Sequence, residues 1–143
     1  MLSNTCKYAI RSVVFLSLFS TETKKVGIKR ISKELDIPTP FLGKILQVLA
    51  KHEILISTKG PNGGFGLARD PNSIPLMDII EVIDGKTIFD TCLIRTTRCR
   101  DEAPCALHDK VAGIRNDLKK MFESQTIADL ASEFRHDHDR IRI

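Results

Sequence analysis

The chain has 143 residues, a formal net charge of +4 and 28 % charged residues. That length suits one domain, or one compact domain with a short appendage, and a core can form without disulfide staples. With 42 % apolar residues the composition excludes wholesale disorder, and no apolar run reaches the roughly 18 residues that a membrane-crossing helix needs.

The apolar stretch Val13 to Phe19 is short and lacks a small-residue cleavage pattern, so no secretory signal is expected. A cytoplasmic protein without a membrane partner follows, with its four cysteines as reduced thiols or ligands. The charge is unevenly spread. Residues 1–69 hold 11 Lys and Arg against 4 Asp and Glu, net +7, whereas residues 70–143 hold 11 against 14, net −3. A basic half without a basic tail implies a folded surface that meets a polyanion; the bland alternative is a solvated basic surface.

The first segment, Ser3 to Ser20, reads as a helix, because Cys6, Ala9, Ile10, Val13 and Leu16 recur at helical spacing. Ser3, Asn4 or Thr5 can cap it. A short second helix runs from Ile28 to Leu35, with Lys29, Arg30 and Lys33 outward. It ends at Asp36-Ile37-Pro38, since the residue before proline is pushed out of the helical region. Thr39 is the expected N-cap of a third helix, with Pro40 in its first position. Leu42, Ile45, Leu46 and Leu49 form its buried stripe, opposite Pro40, Lys44, Gln47 and Lys51. Two short helices joined by a tight turn make a helix-turn-helix.

The run Ile54 to Lys59, the turn Gly60-Pro61-Asn62-Gly63-Gly64 and the run Phe65 to Ala68 read as a β-hairpin. Three helices and then a hairpin give the order of a winged helix. A fourth helix, Pro75 to Asp84, stops at Gly85. Residues 86–105 have no period and read as a loop, and one of that length inside a compact domain is expected to be functional or disordered. The longest helix is expected over Ala106 to Gln125. There Leu107, Val111, Ile114, Leu118 and Met121 alternate spacings of four and three, the seam of a coiled coil. This is either a dimerisation helix or an ordinary amphipathic core helix. Thr126 to Asp129 matches a capping box and opens a last short helix with Leu130 and Phe134 inward. In the tail, His136 and His138 are read as a solvated terminus rather than a metal site.

The fold class is therefore mostly α with a small β-hairpin wing: a winged helix-turn-helix over 1–70, and a cysteine loop with a long dimerisation helix over 71–143. A recognition helix sets its N-terminal residues against base edges in the major groove of double-stranded DNA. Thr39, Pro40, Phe41 and Lys44 hold those places, with Gln47 one turn on. Phe41 offers an apolar surface to thymine methyl groups, Lys44 reaches guanine acceptors or phosphate, and Gln47 suits adenine. Lys59 and Asn62 on the wing suit phosphates or the minor groove. The bland alternatives are that Thr39 only caps, Phe41 packs on the hairpin and the lysines are only solvated. Gly43 is costly inside a helix, and its one apparent use is close approach to DNA.

Cys92, Cys99 and Cys105 are separated by six and then five intervening residues, with His108 three positions after Cys105. That spread does not match the paired knuckle of a zinc finger. Thiolates suit iron-sulfur clusters or zinc, and a histidine in place of one thiolate raises a cluster's potential. Arg95, Arg98 and Arg100 would offset cluster charge. Redox-active free thiols and structural zinc remain as alternatives, and Cys6 is read as a small core residue. No Cys-x-x-Cys, nucleotide loop or paired catalytic acids are present, so an enzyme, for example a redox enzyme using Cys99 or Cys105, is not expected.

Lys7-Tyr8-Ala9, the segment Ile37 to Leu42, the wing Lys59 to Phe65 and the three-cysteine loop together resemble the Rrf-two family of bacterial transcription regulators over nearly the whole chain. The resemblance implies a homodimer of winged-helix domains on a near-palindromic operator, a crossed long helix, and an iron-sulfur cluster near the subunit interface. Carried over, Cys92, Cys99 and Cys105 are cluster ligands, and His108 takes the histidine place of IscR-like members. NsrR-like members use an acid where this chain has Lys7. The first cysteine gap is one longer than usual in IscR-like members, and Gly43 replaces an acid often found in the recognition helix. The implied function is sequence-specific DNA binding tuned by a cluster that senses redox state, nitric oxide or cluster supply. A 2Fe-2S cluster is favoured over 4Fe-4S, and either can be lost from aerobically prepared protein. The alternative is a regulator of the same fold without a cluster, sensing by thiol chemistry, a small ligand or a partner protein.

Overall fold

The computed structural model describes residues 1–135, so His136 and His138 lie outside the described residues. Helix α1 spans Asn4–Phe19, α2 Ile28–Leu35 and α3 Thr39–Lys51; strands β1, Leu55–Thr58, and β2, Gly64–Leu67, follow; then α4, Leu76–Ile83, α5, His108–Ser124, and α6, Ile127–Phe134.

Helix α1 is the keel. Cys6, Ala9, Val13, Val14 and Leu16 are fully buried, and α1 packs against α2, α3, α4, α6 and β2. The one buried polar side chain among the described residues, Ser12, is satisfied by its bond to the Tyr8 carbonyl at 2.7 Å. At the start of α1, the Ser3 hydroxyl oxygen accepts the Cys6 N–H at 3.0 Å. The Ser3 backbone N–H and hydroxyl both donate to the carboxylate of Asp84, the former at 2.8 Å. The C-terminal end of α4 therefore clasps the first turn of α1.

Helix α2 ends at Asp36, which adopts the left-handed region at φ 54°, a conformation that aspartate visits more readily than most residues. The hairpin is antiparallel and pairs Leu55 with Leu67 and Thr58 with Gly64. Val26 adds a single bridge to Phe65 on the other side of β2. That bridge explains Gly64: its φ is +145°, and a Cβ there would lie 2.5 Å from the Val26 carbonyl oxygen. β1 is one residue shorter at each end than its sequence run, and β2 is shifted one residue earlier, so that Gly64 belongs to the strand and Ala68 does not.

Helix α4 buries Leu76, Ile79 and Ile80. Its start is held to the start of α6 by Leu76 N–H to the Gln125 carbonyl and Ile127 N–H to the Ile74 carbonyl, both 2.9 Å. The capping box of α6 forms as the sequence suggests, with Thr126 and Asp129 bonded reciprocally. Helix α5 begins at His108 rather than Ala106 and is mostly exposed, Phe122 being its one buried residue. Phe122 meets Phe89 with ring centroids 5.9 Å apart. The seam is divided: Leu118 packs against the core, while Ile114 is 70 % exposed and Met121 43 %.

Candidate functional site

The helix-turn-helix presents most of the predicted contact residues to solvent. Pro40, Phe41, Lys44 and Gln47 are exposed on α3, joined by Val48 and Lys51. Lys59 and Asn62 are exposed at the wing. Thr39 behaves differently from the expectation. Pro38 is the N-cap and Thr39 the first helical residue, with no side-chain cap. The Thr39 hydroxyl instead donates to Ser32 Oγ at 2.9 Å, and Ser32 Oγ donates to the Ile37 carbonyl at 2.6 Å. The half-buried threonine thus ties the start of α3 back to α2, and because the helix already begins at Thr39, Pro38 holds the cap position.

Phe41 finds an aromatic partner on α1 and stays 39 % exposed. Its ring stands edge-on to Tyr8 of α1, at 5.7 Å and 86°. Arg11, one turn further along α1, lies 5.9 Å over the Tyr8 ring and donates to the Leu35 carbonyl at the end of α2 at 3.0 Å. So α1 braces both halves of the motif. Gly43 also finds its reason inside the protein: a Cβ there would stand 3.3 Å from Ile28 Cδ1, so glycine lets α2 and α3 pack closely. The sequence motif contained Tyr8 but gave no sign of this bracing role; the aromatic pair at the starts of two helices was the available signal. Lys29, Arg30 and Lys33 of α2 are exposed as expected, and Arg30 sits 5.3 Å over the Phe19 ring.

The cysteine segment is irregular but hydrogen-bonded. Cys92 N–H donates to the Thr97 carbonyl at 3.2 Å and Cys99 N–H to the Asp90 carbonyl at 2.7 Å, closing a small turn. The Arg95 guanidinium ties the turn to the Ala103 carbonyl at 3.0 Å. Cys92 is buried, while Cys99, Cys105 and His108 are half-buried. The four predicted ligands gather in two pairs. Cys92 Sγ lies 3.6 Å from Cys105 Sγ, and Cys99 Sγ lies 3.0 Å from His108 Nδ1. His108 Nε2 is 3.1 Å from Asp101. Among the described residues no three His, Cys, Asp or Glu side chains converge closely enough to hold one metal ion.

The Cys92 thiol is held below the usual cysteine range. The backbone N–H groups of Arg95 and Ile94 are the main cause, with smaller help from the Cys105 thiol and the Arg95 charge. Cys6 is its opposite: burial first, then the nearby Asp84, push its thiol up to about 12. It is a neutral core residue, as its place on the apolar face of α1 suggests. Beside the Cys99–His108 pair lies a cleft of about 250 Å³, lined also by Asp90, Arg115 and Lys119.

Three helices, a hairpin that closes on the first connecting segment, and an exposed, cation-bearing second helix of the turn motif define a winged-helix DNA-binding regulator. The solved structure of CymR (YrzC), titled the global cysteine regulator of B. subtilis, superposes with a TM-score of 0.78 at 22 % identity over 93 % of this chain and 97 % of that one. T. potens IscR gives 0.74 at 22 % identity, over 93 % and 87 % of the two chains.

The chain belongs to the Rrf2 (Rrf-two) family, whose profile, described as iron-dependent transcriptional regulator, matches residues 2–133. A chain of Aquifex aeolicus (strain VF5) named as an HTH-type transcriptional regulator is 35 % identical over 130 residues, 90 % of this chain and 89 % of that one. The HTH-type transcriptional regulator IscR of Escherichia coli is 25 % identical over 158 residues, covering 99 % and 93 %. The protein is thus a transcriptional regulator, and its relatives are regulators rather than enzymes.

Proposed function

We propose that the protein is a homodimeric, sequence-specific regulator whose affinity for a near-palindromic operator is set by an iron-sulfur cluster held by Cys92, Cys99, Cys105 and His108. Residues 1–70 bind DNA, and residues 71–143 sense and dimerise. The observation that carries this reading is the grouping of the four side chains into two pairs, 3.6 and 3.0 Å apart. Each iron of a 2Fe-2S cluster needs two protein ligands, and a cluster with mixed thiolate and imidazole ligands is a known donor set. Two pairs fit such a group better than a single zinc ion, which needs its ligands convergent. When bound, the cluster supplies an electron or an NO-reactive centre.

The chain's own residues transmit its presence. The His108 N–H donates to the Cys105 carbonyl at 2.9 Å, so the loop is continuous with the first turn of α5. The exposed seam residues Ile114 and Met121, with half-buried Val111 between them and the loop, support α5 as the helix that meets a second copy. Ordering of the loop then bears on how two α3 helices are spaced on the operator, and only a difference in DNA affinity between the two states can regulate, typically by about 1–3 kcal/mol. On DNA, Pro40, Phe41, Lys44 and Gln47 read the major groove while Lys59 and Asn62 approach phosphates; Thr39 positions them.

The test is anaerobic purification followed by visible spectroscopy and iron and sulfide counts. Brown protein is expected, with absorption lost on Cys99→Ala and the midpoint potential shifted on His108→Ala. Colourless, iron-free wild-type protein after such handling would overturn the cluster. A second reading, thiol sensing without a cluster, is favoured by one observation: the chain from Cys99 to His108 to Asp101 is the arrangement that activates a thiol. Metal analysis separates the two.

A further inference from the structure

The cluster-free loop contains three thiols, which permit three pairings: Cys92 with Cys99, Cys92 with Cys105, or Cys99 with Cys105. The structure distinguishes among them. Cys92 and Cys105 have their sulfurs 3.6 Å apart, whereas Cys99 is engaged by the His108 ring at 3.0 Å. A disulfide needs the sulfurs at about 2 Å. The remaining approach is small, and both cysteines sit outside regular helix and strand, where backbone can yield. The pair closes a loop that already holds itself together through the Arg95 to Ala103 bond.

We infer that Cys92 and Cys105 form a redox-responsive disulfide in the cluster-free protein, with Cys99 left as a thiol. The oxidant is a low-molecular-weight disulfide. Half-buried Cys105 is the accessible member of the pair and Cys92 the buried one. The Cys105 thiolate attacks the small disulfide, breaking its S–S bond, forming a mixed disulfide and releasing one small thiol. Cys92 then attacks the Cys105 sulfur, forming the internal bond and expelling the second small thiol. The two cysteine protons leave with the two small thiols, and the protein gives up two electrons to one small disulfide. The oxidised loop has two of its four donors occupied. Resting on the cluster reading above, the bond is a gate: it bars cluster uptake until a thiol reductant opens it.

The experiment uses the full chain, freed of iron, and oxidised glutathione as the probe. The intact protein is expected to lose the mass of two hydrogens. Trypsin cuts at Arg95, Arg98 and Arg100 place the three cysteines on separate peptides, and the Cys92 and Cys105 peptides are expected to be joined until reduced. Cys92→Ser is expected to abolish the link and leave glutathione on Cys105. Cys99→Ser is expected to link as wild type does. A link through Cys99, or no link under conditions that place glutathione on Cys105 of wild-type protein, overturns the proposal. Oxidised protein is then expected to reject iron and sulfide, and protein pre-treated with dithiothreitol to accept them. If the link forms but reduced protein also stays colourless, the disulfide stands and the cluster reading fails.

Discussion

The helix-turn-helix with its wing and the segment 86–107 are built on opposite principles. In the first, nearly every element is fixed by burial: Leu16, Ile31, Leu35, Leu42, Leu46, Leu49, Ile54 and Leu55 are at or below 2 % exposure. In the second, Phe89 and Cys92 are the buried side chains, while Leu93 and Ile94 stand 69 % and 60 % exposed. One half holds its shape through the hydrophobic effect. The other relies on turns, an arginine on a carbonyl, and sulfur contacts. A region ordered by so few buried contacts opens at lower free energy, and it can do so while the packed region stays intact.

The largest expected effects break this comparison at its base. Leu46→Ala should lower unfolding free energy by about 2–5 kcal/mol, whereas Leu93→Ala in cluster-free protein should change it by less than about 0.5 kcal/mol. Urea unfolding of the two variants checks both, and equal losses would show that the segment is packed like the rest. Next in size is the wing. Gly64→Ala combines strained φ with a clash against Val26 and should cost on the order of 1–3 kcal/mol. Gly60 also has positive φ, at +105°, but open space around it. Gly60→Ala should therefore fall at the low end, about 1 kcal/mol, and thermal melts of the pair compare a positive-φ position in open space with one that also meets Val26.

Smaller again is the cap of α6. Thr126→Ala should cost about 1 kcal/mol. Its partner Asp129 is held below the ordinary aspartate range by the Thr126 backbone N–H first and the hydroxyl second. A carboxyl whose folded pKa is depressed stabilises fully above its unfolded value and loses that contribution as pH falls through the folded one. The difference between wild type and Asp129→Asn should thus be constant at neutral pH and vanish in acid, which unfolding at several pH values tests. Finally, Lys59→Ala and Lys44→Ala should each weaken DNA binding and, where the lysine meets phosphate, reduce the salt slope by about 1. Arg98→Ala in the cysteine segment should leave the slope unchanged; a reduced slope there would extend the DNA face into that segment.

The same contrast governs what could be read from sequence. Period and punctuation found every helix of the packed half, since a buried stripe such as Leu42, Ile45, Leu46 and Leu49 leaves its trace in residue order. The capping box was legible because its two members are three residues apart. The four candidate ligands were legible as residue types, but their partition into two pairs was not, because spacing along an aperiodic loop does not fix which sulfurs meet. Thr39 was misplaced by one position for a related reason: the helix starts at Thr39 itself, and the bond its hydroxyl donates goes to Ser32 of the previous helix, a tertiary contact. The same holds for Phe41, whose partner Tyr8 lies on α1, distant along the chain.

Gly43, where the Ile28 side chain rests 3.3 Å from the place of an absent methyl, carries a lesson for redesigning α3. A methyl at position 43 asks the flexible end of Ile28 to give by a few tenths of an ångström, so exchanges at 43 are coupled to residue 28. Positions 44 and 47, facing open solvent, carry no such coupling.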